Sequence, residues 1–293
     1  MSSRFRDWLV AATLIAAALM LAAFAPAHAA PSADRAADSA GAPLRVCADP
    51  DNLPYSRADG SGFELAVARL VARDLHRPLE VAWVPQMRGF VRKSLGEGLC
   101  DALLGVPAGY ERVLATRPYY RSSYVIVTRA DAADPLRSLD DPRVTALTIG
   151  VQLVGDDPST TPPGLALASH GAVEHVVGYP VLGEKPSAER ATSDVAAGRL
   201  DAAVLWGPQA GYFAARSPVA VRVARAEPPR GSDLRFDFAI AMGVRRGDSA
   251  LRDALDGALA RRAGDIREIL AQYAVPQQPL DDGASQPVAG ARP

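Results

Sequence analysis

Two stretches of this chain repeat one order of patterns, and that order leaves few folds open. Leu44–Ala48 alternates as a strand does. Gly62–His76 sets Phe63, Val67, Leu70, Val71 and Leu75 at helical spacing. Pro78–Val84 alternates again through Leu79, Val81 and Trp83, and Gln86–Gly98 reads as a helix with Phe90, Val91 and Leu95 inward. Asp101–Val106 is a continuous apolar run, as in a strand buried on both faces. Strand, helix, strand, helix, strand predicts a parallel sheet flanked by helices. Tyr124–Thr128 then reads as a strand leaving this unit.

The second stretch follows the same order without repeating the sequence. Leu147–Val151 is strand-like. Thr160 or Thr161 caps a helix opened by Pro162 and Pro163. Val173–Gly178 is a strand, Ser187–Gly198 a helix stopped by its glycine, Asp201–Leu205 a buried strand and Pro208–Ala215 a helix. Phe236–Val244 is a strand able to return to the first unit, and Ser249–Tyr273 is a long helix with Gly264 as a candidate break. Two α/β lobes joined by two crossing segments enclose a cleft, where ligands bind. An α/β hydrolase or a single large Rossmann sheet would alternate in the same way, so the motifs must decide.

Composition narrows the function classes. With 48% hydrophobic and 22% charged residues in 293, the chain is not disordered and is long enough for two modest cores. A formal charge of −1 gives no basic field for nucleic acid. Two cysteines exclude a disulfide scaffold and a four-cysteine zinc site, and four histidines leave little for a multi-histidine centre.

The N-terminus reads as an address. Arg4 and Arg6 precede an unbroken apolar and small run, Leu9–Ala25, and Ala27-His28-Ala29 fits the small-x-small rule for cleavage before Ala30. The alternative is an uncleaved anchor helix, for which the run is at the short limit. A periplasmic, soluble mature protein is expected, with no cysteine ahead of Cys47 to carry a lipid. In an oxidising compartment Cys47 and Cys100 are expected to pair; the alternative is two buried thiols.

Catalytic signatures are missing. There is no G-x-S-x-G, H-E-x-x-H, C-x-x-C or G-x-x-x-x-G-K. Gly150–Gly155 has phosphate-loop spacing, but Asp156 stands where a lysine is needed. Asp156-Asp157 reads as a helix-capping turn against general acid–base or cation-ligand roles. His170 and His175 read as surface residues against metal ligation, and Asp140-Asp141-Pro142 reads as a turn. No cofactor and no metal site of its own is expected.

Several segments, in order, carry a family resemblance. They are Leu44-Arg-Val-Cys-Ala-Asp-Pro50, Gly62-Phe-Glu-Leu-Ala66, Cys100-Asp-Ala-Leu-Leu-Gly105, Glu111-Arg112, Pro118-Tyr-Tyr120, Ile149-Gly-Val-Gln152 and Asp201-Ala-Ala-Val204. Over residues 44–275 the chain resembles the family 3 periplasmic solute-binding proteins of ABC importers. Cys47–Tyr55, Trp83–Phe90, Gly105–Gly109, Pro118–Tyr124, Gly150–Asp157 and Trp206-Gly-Pro208 resemble one subgroup more narrowly. These are the quinoprotein-dehydrogenase-associated substrate-binding proteins, the MoxJ-like accessories of methanol oxidation. The resemblance implies an α/β type II periplasmic-binding-protein fold, a bilobed Venus flytrap of two doubly wound lobes joined by two crossing segments. It also implies a role beside a periplasmic PQQ-dependent alcohol dehydrogenase or its cytochrome. The chain then divides into a signal at 1–29, a mobile leader at 30–43, lobe 1 at 44–128, lobe 2 at 129–242, a return to lobe 1 at 243–276 and a loose tail at 277–293.

The resemblance also supplies site residues, with informative departures. Arg112 falls where amino-acid-binding members hold a carboxylate, a task suited to a planar guanidinium. Pro107 and Gly109 stand where assisting hydroxyls would be, Asp156 replaces a second-lobe Ser or Thr, and Trp206-Gly207 replaces the acid that pairs a ligand ammonium. A buried ammonium without a counter-charge is costly, so an α-amino acid is a poor candidate ligand. Cleft candidates are Asp49, Asn52, Arg112, Gln152, Asp156 and Trp206. The competing readings are a surface or interlobe ion pair for Arg112 and a packing role for Trp206. Trp83, Met87, Arg88 and Phe90 are candidate partner contacts, because aromatic, Met and Arg residues are enriched at interfaces; the competing reading is a strand end and the first turn of a core helix. Three functions compete: a non-catalytic dehydrogenase accessory, an ABC-importer receptor for a small organic solute, and an enzyme on the same fold, which lacks an acid–base constellation here.

Overall fold

The apolar runs form strands and the helical spacings form helices in the order read from the sequence. The computed structural model describes residues 41–153, 161–181 and 185–280. The signal read at 1–29, most of the leader, Asp156, Asp157 and the tail beyond 280 lie outside the described residues. Among the described residues no helix is long and apolar enough to cross a membrane.

The first lobe begins with β1 (Leu44–Ala48), a small hairpin of β2 (Asp51–Asn52) and β3 (Ser56–Arg57), α1 (Phe63–Asp74), β4 (Leu79–Trp83) and β5 (Ala102–Pro107). β1 lies between β4 and β5, parallel to both, with Leu44 opposite Leu79 and Val46 opposite Ala102. After β6 (Leu114–Ala115), β7 (Tyr120–Arg129) leads into the second lobe. There β8 (Ile149–Leu153), α2 (Pro162–Ser169), β9 (Val176–Pro180), α3 (Ser187–Ala196) and β10 (Ala202–Trp206) repeat the arrangement, with β8 parallel between β9 and β10. α4 (Gly207–Ala214) and β11 (Val221–Arg225) follow. β12 (Asp237–Val244) returns antiparallel to β5, and α5 (Ser249–Arg261) and α6 (Ala263–Gln272) close the first lobe.

β7 joins the halves. Its start, Tyr120–Ser123, pairs with β12; its remainder pairs with β10 on one edge and β11 on the other. The result is one ten-stranded sheet. In each lobe the strand order is second, first, third, then an antiparallel crossing strand. Such an order puts a crevice outside the carboxyl ends of the first and third strands, where the winding reverses.

The core under α1 explains that helix. Phe63 is fully buried and meets the rings of Tyr55, Tyr120 and Tyr273 at 5.2, 5.9 and 6.1 Å. Burying such a ring stabilises by about 1.5–3 kcal/mol. Gly62 makes the entry possible: its φ is 117° and a Cβ there would stand 2.3 Å from the Tyr55 carbonyl oxygen. Cys47 and Cys100 are bonded, Cα to Cα 5.5 Å, inside a smaller cluster with Leu95, Leu103 and Val106.

Several elements differ from the sequence reading, among them the strand β11, which it did not assign. Residues 86–89 are not helical; only Phe90–Gly96 coils, mostly as a π-helical turn over Arg92–Gly96. Gly89, at φ 82°, sets the start, because that backbone conformation cannot continue a right-handed helix backwards. The long C-terminal helix breaks at Arg262, two residues before Gly264. Past Pro276 the chain stays on the fold: the Gln278 N–H donates to the Arg121 carbonyl at 2.9 Å.

Candidate functional site

The first-lobe crevice is built by the ends of β1 and β5 and the first turn of α1. Asp49, Asn52, Tyr55, Glu64, Gln86 and Gly105 line a cavity of about 90 Å³ there. Asp49 is held in place. Its Oδ1 accepts from the Asp51 N–H at 2.8 Å and its Oδ2 from the Gln86 N–H at 2.5 Å. The Asn52 amide donates to Gln86 Oε1 at 2.7 Å. Gln86 thereby clasps the loop after β4 onto the loop after β1.

Glu64 is the unusual member. It is half-buried, and among the described residues no hydrogen bond reaches its carboxyl. Gly105, at φ 71°, lies so close that a Cβ there would stand 2.2 Å from Glu64 Oε1. Loss of water around the carboxyl pushes its pKa up to about 8. At neutral pH it is therefore mostly a neutral acid that can donate a hydrogen bond. Burial also holds the hydroxyls of Tyr55, Tyr119 and Tyr120 well above the usual tyrosine range, and the proximity of Glu64 adds to it.

The second lobe presents the equivalent crevice at the ends of β8 and β10. Gln152 is buried there. Its amide donates to Ser187 Oγ at 3.0 Å and Gln209 Oε1 at 2.7 Å, and its Oε1 accepts from the Trp206 N–H at 2.9 Å. It ties the starts of α3 and α4 to the end of β10. Trp206 packs on Tyr124 and Phe238, ring centres 5.4 and 5.8 Å away, and also lies against the first-lobe core that holds Phe63 and Tyr120. Trp206 is thus both a packing residue and a bridge between the lobes.

Of the cleft residues read from sequence, Asp49 and Asn52 meet in the first-lobe cavity and Gln152 and Trp206 meet at the second-lobe crevice. Asp156 lies outside the described residues. Arg112 is exposed in the turn after β5, does not line the cavity and has no ion pair among the described residues. Along the candidate partner stretch, Trp83 is 39% exposed and Met87 57%, and Arg88 is exposed. Phe90 turns inward against the disulfide cluster. Tyr55, Glu64 and Gln86 were not singled out in the sequence. An acid in a first helical turn is ordinary there, and only the approach of Gly105 marks Glu64 as different.

The cavity offers two carboxyls, two amides and two hydroxyls, and among the described residues no cationic side chain lines it. It suits a small ligand that donates to Asp49 and accepts from Glu64 or the amides. It opposes a carboxylate.

The pattern of bacterial extracellular solute-binding proteins, family 3, matches residues 44–276. The chain belongs to that family. This family 3 protein is 32% identical to Protein MoxJ of Methylorubrum extorquens over 254 residues, which cover 82% of this chain and 83% of the relative. Its fold superimposes on the crystal structure of the periplasmic binding protein XoxJ from Methylobacterium extorquens AM1 with a TM-score of 0.68 at 34% identity, covering 81% of this chain and all of that one. MxaJ from Methlophaga aminisulfidivorans MPT gives a TM-score of 0.69 at 24% identity, over 80% of this chain and 100% of that one. The shared fold is that of the type II periplasmic binding proteins.

Proposed function

We propose that this chain is a non-catalytic periplasmic accessory of a PQQ-dependent alcohol dehydrogenase system, with the solute-binding fold put to work in maturation or in holding a small molecule between the lobes. The likeness to MoxJ and XoxJ over four-fifths of the chain carries this reading. The prosthetic group belongs to the dehydrogenase. Contact with the dehydrogenase or its cytochrome falls to Trp83, Met87 and Arg88, whose exposure on an edge strand and the loop after it supports that role. Asp49, Asn52 and Glu64 contact any ligand from the first lobe, and Gln152, Asp156 and Trp206 from the second. The ligand is not an α-amino acid, since Arg112 stands away from the cavity.

Deleting the gene and assaying the dehydrogenase, with every candidate solute supplied, tests the proposal. Loss of activity or assembly is expected. Full dehydrogenase activity together with lost uptake of one solute would favour the second reading, an ABC-importer receptor. The polar cavity at the first-lobe crevice is the observation that keeps that reading in view.

A further inference from the structure

A second cavity, of about 450 Å³, shares no lining residue with the first. Its volume falls in the range of small-molecule pockets, about 300–1,000 Å³. One wall is the sheet, with Val125 of β7 and Val221 and Val223 of β11. The opposite wall is the end of α4, where small residues, Ala214 among them, leave room. The segment after α6 closes one side. It can lie there because Gly211 lacks a side chain: a Cβ would stand 2.0 Å from the Ala274 carbonyl oxygen. Walls therefore come from both lobes and from the strand that crosses between them.

Three polar side chains line this space, those of Ser123, Arg225 and Gln278, and they differ. Ser123 is fully buried, shares its face of β7 with Val125, and its Oγ has no hydrogen-bond partner among the described residues. A buried hydroxyl without a partner is destabilising, and a ligand atom able to bond it would remove that penalty. An alanine there would line the wall without it. Arg225 at the rim is already engaged. It donates to Gln278 Oε1 at 3.0 Å and pairs with Glu227 at 3.1 Å and Asp237 at 3.7 Å. With its charge answered by two carboxylates, it offers little to a ligand anion, and the apolar walls give a cation no counter-charge.

The geometry points to a second ligand site behind the crossing strand, taking a small uncharged amphiphile: an apolar body against Val125, Val221, Val223 and Ala214, and one hydroxyl or carbonyl on Ser123. This assignment is independent of the function proposed above.

Cyclohexanol, cyclohexanecarboxylate and cyclohexylamine, alike in shape and different in charge, are the probes. Amide chemical shifts of the purified protein are followed by nuclear magnetic resonance during titration. Cyclohexanol should shift Ala214, Val221 and Val223 saturably while Asn52 and Gln86 stay still, and should bind at least about tenfold more tightly than either charged probe. Ser123→Ala should weaken cyclohexanol by about three- to tenfold, the range for one neutral hydrogen bond, and Ala214→Leu should abolish binding. Should Ala214→Leu fail to fold, Ser123→Ala decides. No saturable shift, shifts at Asn52 and Gln86 instead, equal binding of a charged probe, or unchanged affinity in Ser123→Ala would each overturn the assignment.

Discussion

Glu64 Oε1 occupies the space that a β-carbon on Gly105 would need, 2.2 Å from its position. The contact joins the first turn of α1 to β5 at the first-lobe crevice and places a half-buried carboxyl on the cavity wall. An acid with a pKa near 8 has a consequence for stability. Its folded-state value lies above its ordinary 4.5, so the stabilisation from keeping the proton is full below about 4.5 and is lost as pH rises towards 8. Glu64→Gln keeps the shape and stays neutral. Denaturant unfolding between about pH 5 and pH 8 should show a flatter profile for the variant, by up to about 1.4 kcal/mol per pH unit. Parallel profiles for both proteins would show that Glu64 titrates as an ordinary carboxyl.

Gly105→Ala meets two obstacles, the backbone at φ 71° and the Glu64 oxygen. A side chain in that backbone region costs about 1–2 kcal/mol, and the carboxyl must move as well. A loss of about 1–3 kcal/mol is expected, smaller in the Glu64→Ala background, where only the backbone part remains. Urea midpoints of the two single variants and the double variant read the coupling, and strict additivity would contradict the close approach.

The Cys47–Cys100 bond spans 53 residues and links β1 to the start of β5. Replacing both cysteines by serine should lower stability by about 4 kcal/mol in the chain-entropy view. Thiol labelling of unreduced, denatured protein should find none free. Two labelled thiols would contradict the bridge.

Much of the fold could be read from sequence because parallel strands buried on both faces leave continuous apolar runs, as at Asp101–Val106 and Asp201–Leu205. The cysteine pair was equally open to reading once an oxidising compartment was inferred. The stretch after β4 was less legible. Phe90, Val91 and Leu95 suit one helical turn as well as three, and only the backbone of Gly89 shows where coiling starts. Arg112 keeps the family spacing, yet spacing carries no information on which way a turn aims its side chain. Glu64 was hidden for a similar reason. Its neighbour in space, Gly105, is forty-one residues away, and nothing local announces that they meet.

Free amino acids should not bind the cleft. The cavity lining holds Asp49 and Glu64 and, among the described residues, no cation to take a ligand carboxylate. Losing that charge-assisted bond costs about 1.5–3 kcal/mol, which weakens a micromolar ligand towards millimolar. Calorimetry against the twenty amino acids checks this. One that binds at micromolar strength, and loses it in Arg112→Ala, would place the site elsewhere.

The central claim is service to a dehydrogenase, and Arg88 gives it the most direct measurement. Arg88 is exposed, so Arg88→Glu should leave the protein folded with an unchanged melting temperature while reversing the charge of the proposed contact. Alcohol dehydrogenase activity is then compared in cells carrying the wild-type gene, the variant and a deletion. The account predicts low activity in the deletion strain and a partial loss with the folded variant. Full activity in the deletion strain, with all candidate solutes supplied, would contradict it.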